Sequence, residues 1–287
     1  MRCDGGRRCW TEFHGCGRLQ GRPHGRNPSC VCTRHAFDHW KNALNISMAC
    51  HFPSAARTPF QVWEDIVGIT SSLSSVDPLF ASWWAAPRSP RDAYVPVDEG
   101  DAFVARVQDD DIRFAQEYPV QPSTGSGGVV LTNAGNDKDW LRRGGVGLSY
   151  MPALGMLRLH VDRIEKVFDS PVSLLESSLS VLLNSLPITF AKTNVQQLVE
   201  GELLLYSVDR APFLHREFLG WMGYVDAPLT QEQVPAAARL ERRGGGTLIL
   251  ATEVLDLADA HAVKQANQVE MNLVDLGLLP VTDPLLR

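Results

Sequence analysis

The stretch FLGWMGYV (residues 218–225) contains no charged residue and sets a tryptophan between two glycines. Read as an extended chain, Leu219, Trp221, Gly223 and Val225 point one way and Phe218, Gly220, Met222 and Tyr224 the other, so both faces are apolar. A strand apolar on both faces belongs in the middle of a sheet, with cover on each side. The glycines permit a neighbouring backbone to come close. The segment therefore reads as packing, with Trp221 as a core residue rather than a ligand-stacking platform.

Similar short apolar runs on either side predict further strands at 128–132, 146–151, 156–161, 188–192, 203–208 and 246–252, with a short strand or packed turn at 79–85. Helix signals alternate with them. Thr58, Pro59 and Gln61 combine an N-cap, proline in the first turn and a reciprocal capping-box glutamine, and Trp63, Ile66, Val67, Thr70 and Leu73 follow at helical spacing. A second helix is expected over 98–118, and a third from Ser170-Pro171 to about residue 186. In a fourth helix, after the 246–252 strand, Leu255, Ala258, Ala262, Ala266, Val269, Leu273 and Leu276 form the buried stripe. Gly277 is its stop, and Lys264, Gln268, Glu270 and Asn272 form its wet face. The fold class is α+β: a mixed, largely antiparallel sheet covered by helices in a single main domain, 48–287, with two sub-lobes dividing near the Gly-rich window 121–145.

Order and amphipathic patterning are expected only from about Met48. Residues 1–47 read as a disordered extension or a non-native upstream segment. All six cysteines (Cys3, Cys9, Cys16, Cys30, Cys32 and Cys50) lie in the first 50 residues. Cys30, Cys32, His35 and His39 have the donor types of a zinc site, but the Cys-x-Cys spacing is too tight and no packing residues surround it. No metal or cofactor is assigned. No secretory leader pattern and no run of 18 apolar residues occurs, so cytoplasmic residence is the expectation.

Charge divides the chain. The first 47 residues carry a net +5, and the remainder a net −11. Between Asp92 and Glu117 eight acids face only Arg106 and Arg113. Such a surface repels nucleic acid and attracts a basic partner. Within it Asp98, Glu99, Asp101, Asp109, Asp110, Asp111 and Glu117 are the candidate partner-binding residues, the alternative being a solvated helix face.

Chemistry is otherwise thin. Walker loop, nucleophile elbow, metalloprotease helix and dinucleotide fingerprint are all missing, which argues against an enzyme without excluding one. His160 with Asp162, and His215 with Glu217, each place imidazole and carboxylate on one side of a strand; either histidine would serve a rival α+β enzyme.

Three segments carry a family resemblance: FPSAARTPFQVWEDIVGITSSLSSVDPLFASWWA, FLGWMGYV, and VPAAARLERRGGGTLILATEVLDLADAHAVKQANQVEMNLVDLGLLP. From Pro53 onward the chain resembles the immunity protein 52 family of bacterial polymorphic toxin systems, including type VI secretion. Trp63, Trp84, Gly220, Trp221, Gly223, Gly246 and Thr247 match positions that concern the fold. The resemblance implies a cytoplasmic inhibitor that binds a restriction-endonuclease-like nuclease toxin, with no catalysis of its own. An adaptor of the same secretion locus is a third expectation.

Overall fold

A computed structural model of the chain describes residues 43–89, 91–118, 125–282 and 285. In chain order these form β1 (Leu44–His51), α1 (Pro59–Ser74), β2 (Trp84–Ala85), β3 (Val95–Pro96), α2 (Gly100–Glu117), β4 (Val129–Thr132) and α3 (Asp137–Arg142). There follow β5 (Gly147–Met151), β6 (Met156–Val161), α4 (Ile164–Val167), α5 (Pro171–Ser185), β7 (Phe190–Val199), β8 (Glu202–Leu205), β9 (Met222–Val225), β10 (Arg239–Arg243), β11 (Gly246–Leu250) and α6 (Ala260–Asp275). The strands make one sheet in the order β10-β11-β9-β7-β1-β6-β5-β4-β2-β3, with β8 added on β7. Its ladders are antiparallel. The α+β architecture is as the sequence predicts. The sheet also runs through the 121–145 window, because β4 pairs with both β2 and β5.

β1 lies in the centre, and it begins earlier than the sequence suggests. Met48, the expected start of order, is its fifth residue. Leu44 to Ser47 already pair with β7, and Ile46 and Ser47 with β6. Leu44 N–H donates to Glu165 (3.0 Å), and Asn45 Oδ1 accepts from Arg163 N–H (2.9 Å). The signal was hard to read because LNISMACH alternates weakly, with Ser47 and Ala49 on the lesser-buried side. Residues 1–42, including Cys30, Cys32, His35 and His39, lie outside the described residues. Cys50 is buried on β1, and burial pushes its thiol pKa up to about 12.

The register gives the middle of the sheet two unlike faces. On one, Ile46, Met48 and Cys50 sit beside Leu157, Leu159 and Val161 of β6 and beside Ala191, Thr193 and Val195 of β7. These join the same apolar cluster as Val62, Ile66, Ile69 and Leu73 of α1 and Leu175, Leu179 and Leu182 of α5. On the other face Ser47 lies between His160 and Asn194, and Ala49 between Arg158 and Lys192. That side is more polar and more exposed, as an antiparallel sheet allows.

The 218–225 segment is buried as expected from Leu219 to Val225, yet only its second half is a regular strand. Gly220 has φ +72°, and a Cβ there would stand 2.1 Å from the Thr193 carbonyl oxygen, so only glycine fits. The chain is held there by Thr193, whose N–H donates to Leu219 O (3.0 Å) and whose carbonyl accepts from Trp221 N–H (3.1 Å). The two backbone donors that the irregular half leaves over, Leu219 N–H and Gly220 N–H, are accepted by one oxygen of Glu270 on α6, at 2.8 and 2.9 Å. Glu270 was expected on the wet face; it is 1% exposed. The Tyr206 hydroxyl lies 3.1 Å from the same oxygen and 2.9 Å from Asn267 Oδ1. Burial pushes the Glu270 pKa above its ordinary value, against the opposing pull of these donors.

The helix ends follow their sequence signals closely. Thr58 and Gln61 form the reciprocal capping box, at 2.9 and 3.3 Å. Val67 is an exception to the expected α1 stripe, being 40% exposed, while Val62 and Ile69 are buried. α6 ends in the paired bonds Gly277 N–H to Val274 O and Leu278 N–H to Leu273 O. Its start is later than predicted: Asp259 is the cap, and Leu255 is buried in the preceding loop. The 203–208 strand is cut short at Leu205 by a π-helical turn, Tyr206–Arg210. Ser170 precedes α5 without capping it through its side chain.

Candidate interaction surface

α2 is fixed first at its start. Trp63 of α1 donates its indole N–H to Val97 O (2.9 Å), and its ring lies where a side chain at Gly100 would sit, a Cβ there standing 2.8 Å from the indole. Phe103, Val107 and Asp110 then form the inward stripe, at the three-and-four spacing of a helix face.

Asp110 is thus an interior residue. Its carboxylate meets Arg106 (3.1 Å, one turn earlier) and Arg88 (3.2 Å), and Arg88 also donates to the Asp110 carbonyl (3.1 Å). Arg106 is itself nearly buried and ties down the carbonyls of Ala86 (2.9 Å) and Ala93 (3.3 Å). Asp111 is spent on a loop: one oxygen accepts from Ser126 Oγ (3.1 Å) and Gly127 N–H (2.9 Å). Both were candidates for partner contact. Asp110 instead holds the fold, whereas Asp111 is half-buried, ties down this loop and also lines a groove between α1 and α2. The signal for Asp110 was present, since it follows Phe103 by seven residues and Val107 by three.

The other five candidates behave differently. Asp98, Glu99, Asp101, Asp109 and Glu117 are all exposed, and none forms an ion pair among the described residues. The nearby cations are already committed: Arg113 to Asp92 (3.1 Å), Arg57 to Asp65 (3.0 Å), and Arg88 and Arg106 to Asp110. The outward side of α2 stays predominantly negative, with the Arg113 charge near Asp109.

Sequence reasoning missed the apolar part of this face. Phe60 of α1 and Ile112 of α2 are 52% and 48% exposed. With Thr58, Pro59, Val104, Gln108, Asp111 and Ala115 they line a groove of about 480 Å³ between the start of α1 and the outer face of α2. At 100° per residue, 104, 108, 112 and 115 form one stripe, with Asp101 in line below it and Asp109 beside it. Phe60 is held by its ring contact with Trp63 at 5.5 Å between centroids. Looking for an apolar stripe on the solvent side of an acidic helix would have found it.

The histidines show less organisation. His160 pairs with Asp162 (2.7 Å) on the more open sheet face. His215 lies edge-on to Phe213, and its expected partner Glu217 is paired with Lys192. Neither histidine lines the groove beside α2 or the one between α6 and Arg210. Among the described residues no group of three or more metal-ligating side chains comes together, and no helix is long and apolar enough to cross a membrane.

No protein-family model matches this chain, and no curated protein is similar to it. A solved structure similar to it is the Pseudomonas aeruginosa T6SS protein PA0821: 11% identity, TM-score 0.42, with 79% of this chain and 73% of that one covered. At that score no role passes from one chain to the other.

Proposed function

We propose that this is a cytoplasmic immunity protein that neutralises a basic nuclease toxin by binding it, and that it is not itself an enzyme. The observation that carries the reading is the division of carboxylates along α2. Asp110 is consumed internally and Asp111 ties down a loop at the groove, while Asp98, Glu99, Asp101, Asp109 and Glu117 face solvent outside any ion pair among the described residues. A nuclease that grips phosphate presents a basic groove, and exposed acids on a rigid helix speed encounter with it. The family resemblance supplies the class of partner. The rival reading is an α+β enzyme using His160 or His215; His160 pairs with Asp162, and neither histidine lines either groove.

The test is co-expression with the product of the neighbouring gene, the expected toxin, scored for survival and co-purification. Survival lost on Asp101→Lys/Asp109→Lys while the protein stays folded supports the reading. Death of cells making the wild-type protein, or substrate turnover by the purified protein that His160→Ala abolishes, sinks it.

A further inference from the structure

The apolar groove changes what kind of partner segment the α2 face can take. Acids alone would attract any cationic surface, folded or not. Here, however, the acids border an exposed apolar trough that nothing in the described protein fills, with Phe60 as its wall and Ile112 on its floor. An apolar centre with a charged rim is the arrangement of a specific protein interface rather than of a solvated helix. The stripe from Val104 to Ala115 covers twelve residues, or ~16 Å of helix, about three turns. α2 is one continuous helix over that span. A trough formed by one helix face and closed on one side by the start of α1 accepts a second helix laid along α2, read through anchors one turn apart.

We propose, resting on the function proposed above, that this trough receives a basic amphipathic helix of the toxin, with one apolar side chain seated between Phe60 and Ile112. Lysine or arginine on the flanks of that helix faces Asp101 and Asp109, and Asp98 and Glu99 extend the negative rim past the start of α2. The two chemistries do separate jobs. The acids set the rate of encounter, and the seated apolar side chain sets the lifetime of the complex.

Two probes test it with the full-length protein. The first is a synthetic helical peptide with a leucine stripe flanked by lysines, compared by fluorescence anisotropy with a peptide of the same composition in scrambled order. Binding of the ordered peptide at least about tenfold tighter, with the advantage removed by Ile112→Asp, is expected. Equal affinity for the two peptides means charge alone is recognised and overturns the groove. The second probe is the neighbouring toxin. Ile112→Asp and Phe60→Ala should each raise its dissociation rate about tenfold and leave association within about threefold; Asp101→Lys/Asp109→Lys should do the reverse. Both sites are exposed, so melting temperature reports whether a variant remains folded. Toxin bound as tightly by Ile112→Asp and Phe60→Ala as by the wild type overturns the groove and leaves the immunity reading standing. Peptide discrimination without toxin binding overturns the immunity reading and leaves the groove.

Discussion

α2 and α6 are amphipathic helices of similar length, and each turns a carboxylate toward the interior. They satisfy it by different means. Asp110 of α2 is met by two guanidinium groups. Glu270 of α6 meets no cation: its partners are two backbone N–H groups and, near the same oxygen, a tyrosine hydroxyl. The first device exchanges solvation for charge pairing; the second supplies an acceptor to a stretch of chain that has left the sheet ladder. One carboxylate is part of an ion network, and the other is a structural substitute for a missing strand.

The contrast is most exposed by Glu270→Ala. It strands two backbone donors in the core, at about 1–3 kcal/mol for each orphaned group, while the Tyr206 hydroxyl keeps Asn267, so a loss of about 4 kcal/mol is expected by urea denaturation. A loss under about 1 kcal/mol would mean that the 218–221 backbone finds another acceptor. Asp110→Ala comes next, at about 3 kcal/mol, because Arg106 is left nearly buried without its counter-charge. If pairing is what matters there, Arg106→Met/Asp110→Leu recovers much of that loss, whereas no apolar replacement should rescue Glu270.

A smaller effect sharpens the same distinction through pH. The folded-state pKa of Glu270 is raised from 4.5 by burial. Its contribution is therefore complete below the ordinary glutamate range and falls away as pH rises through the raised value. Glu270→Gln stays neutral throughout. The melting temperature of the wild type relative to Glu270→Gln should accordingly be most favourable in acid and decline above about pH 4.5. An advantage that grows with pH would show a carboxylate stabilised in its charged form. Smallest of all, Asp101→Lys/Asp109→Lys should move the melting temperature by less than about 2 °C, since both side chains are exposed and unpaired.

The same pair of helices shows what the sequence makes legible. Thr58 and Gln61, Gly277, and the burial of Trp221 could be read from local chemistry, because each interaction is completed within a few residues or by bulk apolarity. Glu270 could not be placed by residue type. Its spacing from Ala266 and Leu273 puts it on the inward side, but a glutamate is ordinarily solvated, and the donors that hold it lie fifty residues away. Asp110 misled in the same way, inside a run of three aspartates that reads as surface. β10 escaped notice because four of its five residues are charged, as suits a strand at the sheet edge. The irregularity at Gly220 depends on the Thr193 carbonyl, which nothing in FLGWMGYV announces.

The place of β1 bears on how the chain acquires its shape during synthesis. Its two neighbours, β6 and β7, lie more than a hundred residues downstream. At ~5–20 residues per second, the first described strand leaves the ribosome several seconds before either partner exists. Its unpaired edges meanwhile stand open to other chains. Pairing so distant in sequence slows folding, and the middle of the sheet closes only once the second half of the protein has been made.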